Sequence, residues 1–409
     1  MKSGIFILVI LSLFSCGTGP SSSAGTNKPA TPVTEIRFTA DMDNPAGDRE
    51  LKLSDILDSI KIIPLKGDIP LQVYYHAVTD SSILVNNKNQ ILQYDHTGNF
   101  VRQIISRGRG PKEFINVRQL FVTDHTNKLY FSEGSNKAIK SVDLTTGAIQ
   151  TVVPDEIASL KFVTPQETLY YKYMYGDERN NAAKILLCIT DMKGSRFSPV
   201  MKNKVIRYSW NYGFLGYDGE VLFLDHGNSD TLYKVSGTQM EPKTLLHMEH
   251  VTEPDGAVNN LNPELRYKGG IILSLTKYWQ KTLPGPGLVT KTGRINPRAP
   301  QLAGYYLLDN TNTPYTIRSF YIDPLGFTIE CKEYIEAKNN GRKLNFSQLF
   351  PYVTGSWGYY IFEAGKFKEL LKEVLLSENL PPLQREYLSG LNRELTEEAN
   401  PVLIIGKIK

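Results

Sequence analysis

The chain has 409 residues, 41% hydrophobic and 11% aromatic, ample for a large core and too rich in Tyr and Phe for a disordered protein. Its formal charge of +4, from 46 basic and 42 acidic residues, is spread without long like-charge blocks. That excludes nucleic acid as a main partner, because such a partner requires a concentrated basic stripe.

The N-terminus reads as an address. Lys2 precedes an apolar run from Ile5 to Phe14, too short to span a bilayer and the right length for a signal-peptide core. Leu13-Phe14-Ser15-Cys16 resembles the bacterial lipobox, in which the Cys is lipidated and becomes the first mature residue. Residues 1–15 are therefore expected to be a lipoprotein signal peptide, with Cys16 as the lipid attachment site and the outer membrane as a partner. Ordinary secretion with an incidental Cys is the alternative. Residues 16–32, rich in Gly, Ser and Pro, read as a flexible tether that cannot bury a core. The tether lacks an acidic cluster resembling a surface-export signal, which favours the periplasmic side over the cell surface.

Residues 33–409 read as one folded unit. Thr34 to Asp43 suggests a strand and turn, and a short amphipathic piece from Leu51 leads into the β-rich Ile60–Leu65. From Val78 the chain then writes one pattern twice, the second copy opening at Val122, 44 residues on. Each copy begins Val-Thr-Asp, runs through a short β-rich segment and a polar break, and reaches a second segment ending in Asp95 or Asp143. A Thr-Gly turn and a third apolar run follow. Self-similarity with a period of about 40–45 residues and several strands per period is the signature of a β-propeller. A single blade cannot bury both of its faces, so the rest of the chain is expected to supply more blades.

A third blade is legible from Phe162 to Val200 and a fourth from Val205 to Val235. From Leu261 the rhythm blurs, and 281–300 is a Gly/Pro-rich insertion too long for a tight turn. Ser356 to Gly365 reads as a strand of the last blade. Residues 366–398 then show apolar residues at helical spacing, broken by Pro381-Pro382, which predicts two helices. The chain ends in a strand over 402–408, and this strand and Ile60–Leu65 are the natural pair to close a ring.

Several of these features resemble the six-bladed β-propeller lipoproteins of Bacteroidetes, which are NHL-like propellers. The matching parts are the lipobox and tether, the Leu53-Ser54-Asp55-Ile56 opening with Ile60–Leu65, and Asp95-x-Thr97-Gly98. Gly108-Arg109-Gly110-Pro111-x-Glu113-Phe114 and the terminal Asn400-Pro401-Val402-Leu403 match as well. The resemblance implies an all-β, six-bladed β-propeller with a short C-terminal helical insertion. It implies little about function, because one propeller scaffold hosts many activities.

Propeller geometry places the link between the second and third strands of a blade on the same face as the link to the next blade. In the first repeat this puts Asn87 and Lys88 on one face with Arg107 and Arg109. The Arg-Gly-Arg-Gly run is a candidate anion site, with glycines that admit backbone N–H groups and guanidinium forks beside them. The preferred reading is structural, with the glycines and Pro111 making an inter-blade turn in which Glu113 pairs with an Arg. Trp210, Tyr212, Trp279 and Trp357 are candidate ligand-stacking residues, although in an all-β core such rings are more often packing residues. His247 and His250 sit three apart, a metal-ligand spacing only on a helix, and read as surface residues. Asp218, Asp225 and Asp230 recur near turns, where Asp is expected anyway. Cys188 and Cys331 are either a disulfide or, the preferred reading, two inert thiols.

Two readings of function follow. The first is a membrane-tethered, non-catalytic propeller that binds a glycan, a peptide or an envelope protein on one disc face, without a cofactor. The second is a propeller hydrolase or lyase with a central-channel metal, for which Ca²⁺ is the ion to test. The anchor itself is open to a simple check. Replacing Cys16 with Ala should move the protein from the membrane to the soluble fraction of lysed cells, and unchanged membrane association would refute lipidation.

Overall fold

Ile83, Leu84 and Val85 are all fully buried, which a strand with one wet face does not allow. Successive side chains enter two different cores. Leu84 joins Ala77, Ile91, Val122 and Phe131, whereas Ile83 and Val85 join Tyr94, Trp357, Leu403 and Ile405. The strand is sandwiched between two neighbouring sheets, and this arrangement recurs along the chain.

The computed structural model describes residues 38–409 except 89, 111–112, 124–126, 134–137, 154–157, 164–168, 176–183, 191–197, 200–212, 218–219, 226–230, 237–238, 249–256, 280–300, 343, 345 and 347. The described residues form six sheets. Blade I contains Val73–Val78, Ile83–Asn87, Gln90–Tyr94 and Phe100–Arg107, with Glu113–Phe114 added in parallel at its edge. Blade II contains Val117–Thr123, Lys128–Glu133, Ile139–Asp143 and Ile149–Val153. Blade III contains Ala158–Val163, Leu169–Tyr175, Lys184–Thr190 and Ser198–Pro199. Blade IV contains Gly213–Tyr217, Glu220–Asp225, Thr231–Ser236 and Gln239–His247. The blurred region is blade V, with Ala257–Tyr267, Gly270–Trp279, Gln301–Asp309 and Pro314–Ile322. Blade VI takes Tyr352–Thr354, Trp357–Phe362 and Val402–Ile408 from one end of the chain and Leu57–Pro64 from the other.

This is an all-β propeller fold. First strands of neighbouring blades touch, as between Val73–Val78 and Val117–Thr123, or Gly213–Tyr217 and Ala257–Tyr267, so they form the inner edges. Separate apolar cores fill the seams between blades IV and V, V and VI, VI and I, and I and II. The turn between third and fourth strands is built alike in blades I and V. Asp95 and Asp309 each accept backbone N–H groups two and four residues on, and Gly98 at φ +82° or Asn312 at φ +62° completes the turn.

The N-terminal segment runs along the rims of three blades. Phe38–Asp41 pairs in parallel with the outer strand of blade IV, Asp48–Lys52 with that of blade V, and Leu57–Pro64 is itself the outer strand of blade VI. In blade VI it lies antiparallel to the C-terminal strand, with Ile62 opposite Ile404. Helices Ala364–Leu375 and Pro382–Glu394 are inserted between the second and third strands of that blade. Their buried Phe367, Leu370, Leu371 and Leu388 pack into the core between blades V and VI. Pro382 stands at the first turn of its helix, where a missing N–H is harmless.

Ile404 is fully buried at the junction of the two chain ends, so Ile404→Ala should lower the unfolding free energy by about 2–5 kcal/mol in urea titration. Leu383→Ala, at a site 83% exposed, should change it by less than about 0.5 kcal/mol. Equal effects would refute the closing role of the terminal strand.

Candidate functional site

The register of blade I brings the first set of candidate residues to one end of its sheet. Asn87 pairs with Gln90, and Gln90 with Ser106, so Asn87, Lys88 and Arg107 lie at the same end. Lys88 takes a left-handed turn conformation at φ +44° and is exposed, as are Arg107 and Arg109. Asn87 is already engaged: its Oδ1 accepts the Gln72 N–H at 2.9 Å, and its Nδ2 donates to the Pro70 carbonyl at 3.2 Å.

The glycine turn beside them also holds an internal anion. The Gly110 N–H donates to Glu113 Oε2 at 2.6 Å, and a Cβ on Gly108 would run into that oxygen. Phe114 is then buried between blades I and II, edge-on to Phe131 at 6.3 Å. The next N–H, of Ile115, donates at 2.8 Å to the buried carboxylate of Glu133, which also pairs with Lys140 at 2.8 Å. The motif therefore works as a clamp between two blades. Arg107 and Arg109, beside it, are exposed.

Other candidates disperse. Cys16, Trp210, Tyr212, Asp218, Asp230 and His250 lie outside the described residues, and so does the 281–300 insertion. His247 ends a strand and is exposed. Trp357 is a packing residue: its Nε1 donates to Asp80 at 3.1 Å, its ring meets His96 edge-on, and Lys407 lies over it. Cys331 is a free, buried thiol whose pKa is pushed up to about 12 by burial and then by Glu330, and the Cys188 side chain lies outside the described ones.

A different constellation lies along the inner edges of blades V, VI and I. In blade V the register slips between Pro263 and Leu265, making Glu264 the extra residue of a β-bulge on the first strand. Bulges bend a strand and re-aim a side chain. Glu264 is exposed, and Ser274 beside it is buried. Desolvation raises its carboxyl pKa, against the opposing pull of Ser274, whose hydroxyl donates to Oε1 at 2.5 Å, and of Lys338. Helix Cys331–Asn339 carries Tyr334 and Lys338, with the Lys338 Nζ 3.5 Å from the Tyr334 hydroxyl. Desolvation lowers the Lys338 pKa, opposed by Glu264. Burial, and after it the charge of Glu264, holds the Tyr305 and Tyr334 hydroxyls protonated well above the ordinary phenol range.

Tyr334 is also within electrostatic reach of Tyr352 on the first strand of blade VI. The Tyr352 ring stands edge-on to His76 of blade I, 5.0 Å between centroids, and remains 36% exposed. The Tyr359 hydroxyl donates to the His76 backbone carbonyl at 3.0 Å, so at 3.0 Å from the ring Nδ1 it must accept. That fixes the proton on Nδ1 and leaves Nε2 an acceptor. Burial lowers the His76 pKa to about 4, so the ring is neutral at physiological pH. Sequence reading missed this set because its members come from four distant segments. The one local signal was Asn259–Glu264, a polar run with a proline inside a strand.

These features define a propeller with hydrogen-bonding side chains on the inner edges of three adjacent blades. Over residues 33–280 the chain matches the model described as a domain of unknown function (DUF4934), and it belongs to that family. No curated protein matches it. A Bacteroides fragilis protein provisionally described as exported aligns over 91% of this chain and 99% of its own, at 13% identity and a TM-score of 0.52. At that identity the likeness shows the fold alone. A member of the DUF4221 family from Bacteroides vulgatus aligns over 65% of this chain and 89% of its own, at 11% identity and a TM-score of 0.37. A protein from Agrobacterium tumefaciens provisionally named TolB aligns over 68% and 90%, at 12% identity and a TM-score of 0.36.

The His76 ring makes a pH prediction. Its pKa falls from 6.5 to about 4 on folding, so the unfolded chain binds the extra proton between those values. The neutral ring's contribution is complete above pH 6.5 and is lost as pH falls through about 4. It amounts to about 3 kcal/mol at the 1.36 kcal/mol of each pKa unit. Tyr352 and Tyr359 are the groups against the ring, and burial holds the Tyr359 hydroxyl protonated well above the ordinary phenol range. Chemical denaturation at pH 7 and pH 4 should therefore show a smaller loss in His76→Phe than in wild type. Equal losses would refute the shift.

Proposed function

We propose that this protein is a lipid-anchored envelope protein whose propeller binds a ligand without transforming it. One observation carries the reading: side chains of blades VI and I meet at their inner edges, where the neutral His76 ring stands against the part-exposed Tyr352. General acid–base catalysis favours a group whose pKa lies near the working pH. His76, at about 4, and the raised tyrosines are suited instead to holding fixed hydrogen bonds. The exposed Lys88, Arg107 and Arg109 at one end of blade I offer a second set of contacts for an envelope partner.

The signal-like run ending at Cys16 and the Gly/Ser/Pro tether support attachment to the outer membrane, with the periplasmic side favoured. Among the described residues no helix is long and apolar enough to cross a membrane, which suits an anchor of this kind. The description of the Bacteroides fragilis protein as exported points the same way, as does the resemblance to NHL-like lipoproteins. The expected ligand is a glycan, a peptide or another envelope protein.

A ligand that binds only the folded state stabilises it by about 2.7 kcal/mol at a hundredfold excess over Kd. Thermal melting of the full chain against fractionated polysaccharide, peptide and protein from the envelope should show a higher Tm with one fraction. Mass spectrometry should recover that ligand unchanged. Cleavage or elimination of the ligand would replace the binding reading with the hydrolase or lyase, and no stabilisation by any fraction would refute both.

A further inference from the structure

One end of blade I carries charge that the fold does not use. Lys88 lies in the turn that joins Ile83–Asn87 to Gln90–Tyr94, and Gln90 pairs with Ser106. That register sets Lys88 and Arg107 within about 10 Å of each other across neighbouring strands. Arg109 follows in the glycine turn, which the Gly108 N–H folds back by donating to the Phe114 carbonyl at 2.9 Å. All three side chains are exposed, and among the described residues none is held by an ion pair or a side-chain hydrogen bond. The acidic groups beside them are committed elsewhere: Glu113 accepts the Gly110 N–H, and Glu133 pairs with Lys140. The backbone around the cations is fixed although the cations are not. Asn87 ties one turn to Gln72 and Pro70, and Glu113 ties the other. Lys88 itself sits at φ +44°, a conformation that Asn or Gly adopts more cheaply.

We infer that this end of blade I rests on anionic lipid headgroups, whose phosphates are met by Lys88, Arg107 and Arg109. The inference rests on the lipid-anchored reading above and names the part of the propeller that touches the membrane. The donor set points to a surface rather than an enclosed anion. An enclosed phosphate is cradled by backbone N–H groups, and in this turn the Gly110 N–H is given to Glu113. What is left is three long cationic side chains on an exposed end, which suit charge spread over a plane. Guanidinium forks match phosphate oxygens in pairs, and the Lys88 ammonium adds a point charge. The tether favours lipid over a soluble polyanion. Twenty-two residues lead from Cys16 to Phe38, at most about 75 Å of chain, so an anchored protein never leaves the neighbourhood of the headgroups. Such confinement raises the effective concentration of the surface, and a contact of only three charges is then occupied.

The test is vesicle sedimentation of the chain from Gly17 to Lys409, which contains the whole described fold without the apolar signal run. At low salt, vesicles of one part phosphatidylglycerol to three parts phosphatidylcholine should bind it about tenfold or more tightly than phosphatidylcholine alone. The preference should vanish at about 1 M salt, where screening acts within about 3 Å. Lys88→Gln, Arg107→Gln and Arg109→Gln combined should abolish it with an unchanged melting temperature. If that variant fails to fold, Arg107→Gln with Arg109→Gln decides, and should weaken the preference severalfold. Equal binding to both vesicles overturns the inference, as does a preference that survives in the folded variants or at high salt. Saturable binding of inorganic phosphate or poly-glutamate without vesicle binding overturns it too, assigning the cations to a small anion or an acidic protein. The anchor is judged separately, by fractionation of Cys16→Ala. Release from the membrane with no vesicle preference keeps the anchor and overturns this contact, whereas unchanged membrane association removes the reading on which it rests.

Discussion

Each middle strand of these sheets has two dry faces, and most of the architecture follows from that. Leu84 belongs to the core with blade II while Ile83 and Val85 belong to the core with blade VI. Leu403 and Ile405 likewise face blade I, whereas Ile404 faces blade V. No blade can satisfy this alternation by itself, because one of its faces would stay wet. Stability is then shared among seams, as in other repeat folds where each unit is held by its neighbours. The chain ends must also meet. Leu57–Pro64 lying against Val402–Ile408 joins the two ends of the chain within one sheet.

The same constraint explains the N-terminal segment and the helices. Outer strands leave a row of unpaired backbone groups, a liability that proteins cover or interrupt. Phe38–Asp41 and Asp48–Lys52 cover the outer strands of blades IV and V before the chain enters blade VI. The helical pair solves a related problem over the seam between blades V and VI. Phe367, Leu370, Leu371 and Val374 recur at spacings of three and four, so one helical face delivers them to the core that holds Phe362 and Ile404.

Much of this fold was legible where local chemistry repeats. The turns after Asp95 and Asp143 announce themselves through Thr and Gly, and the strands before them carry the apolar runs Ile83–Val85 and Leu129–Phe131. Blade V hides its kinship because Asn312 supplies the positive φ that Gly98 supplies in blade I. Its first strand is also disguised: Asn259, Asn260, Asn262 and Pro263 are poor strand formers, tolerated on an inner edge where one side of the ladder is open. The strand near Thr34–Asp43 was legible but its pairing could not be foreseen, since Phe38–Asp41 finds its partner about two hundred residues away in Gln239–His247. The most conspicuous motif misleads in a different way. Gly108, Gly110, Glu113 and Phe114 have the composition of an anion-binding loop, yet their carboxylate and ring complete the joint between blades I and II.

What remains is a division of labour between seam and inner edge. In the seams, propensity, periodicity and burial agree, as they should in a sequence that specifies one structure. Along the inner edge they part company. A proline and three asparagines sit in a strand, a carboxylate occupies a bulge, and a tyrosine stays open to solvent. Such local departures cluster where a protein does something other than hold itself together. His76 sharpens the point, since its desolvation is offset locally by Tyr359 and the ring is kept neutral with one nitrogen committed and one not. A seam needs no unused acceptor. On the proposed binding reading such an acceptor is open to a ligand, and the rigid seams on either side of the inner edge hold it in register with the Tyr352 ring.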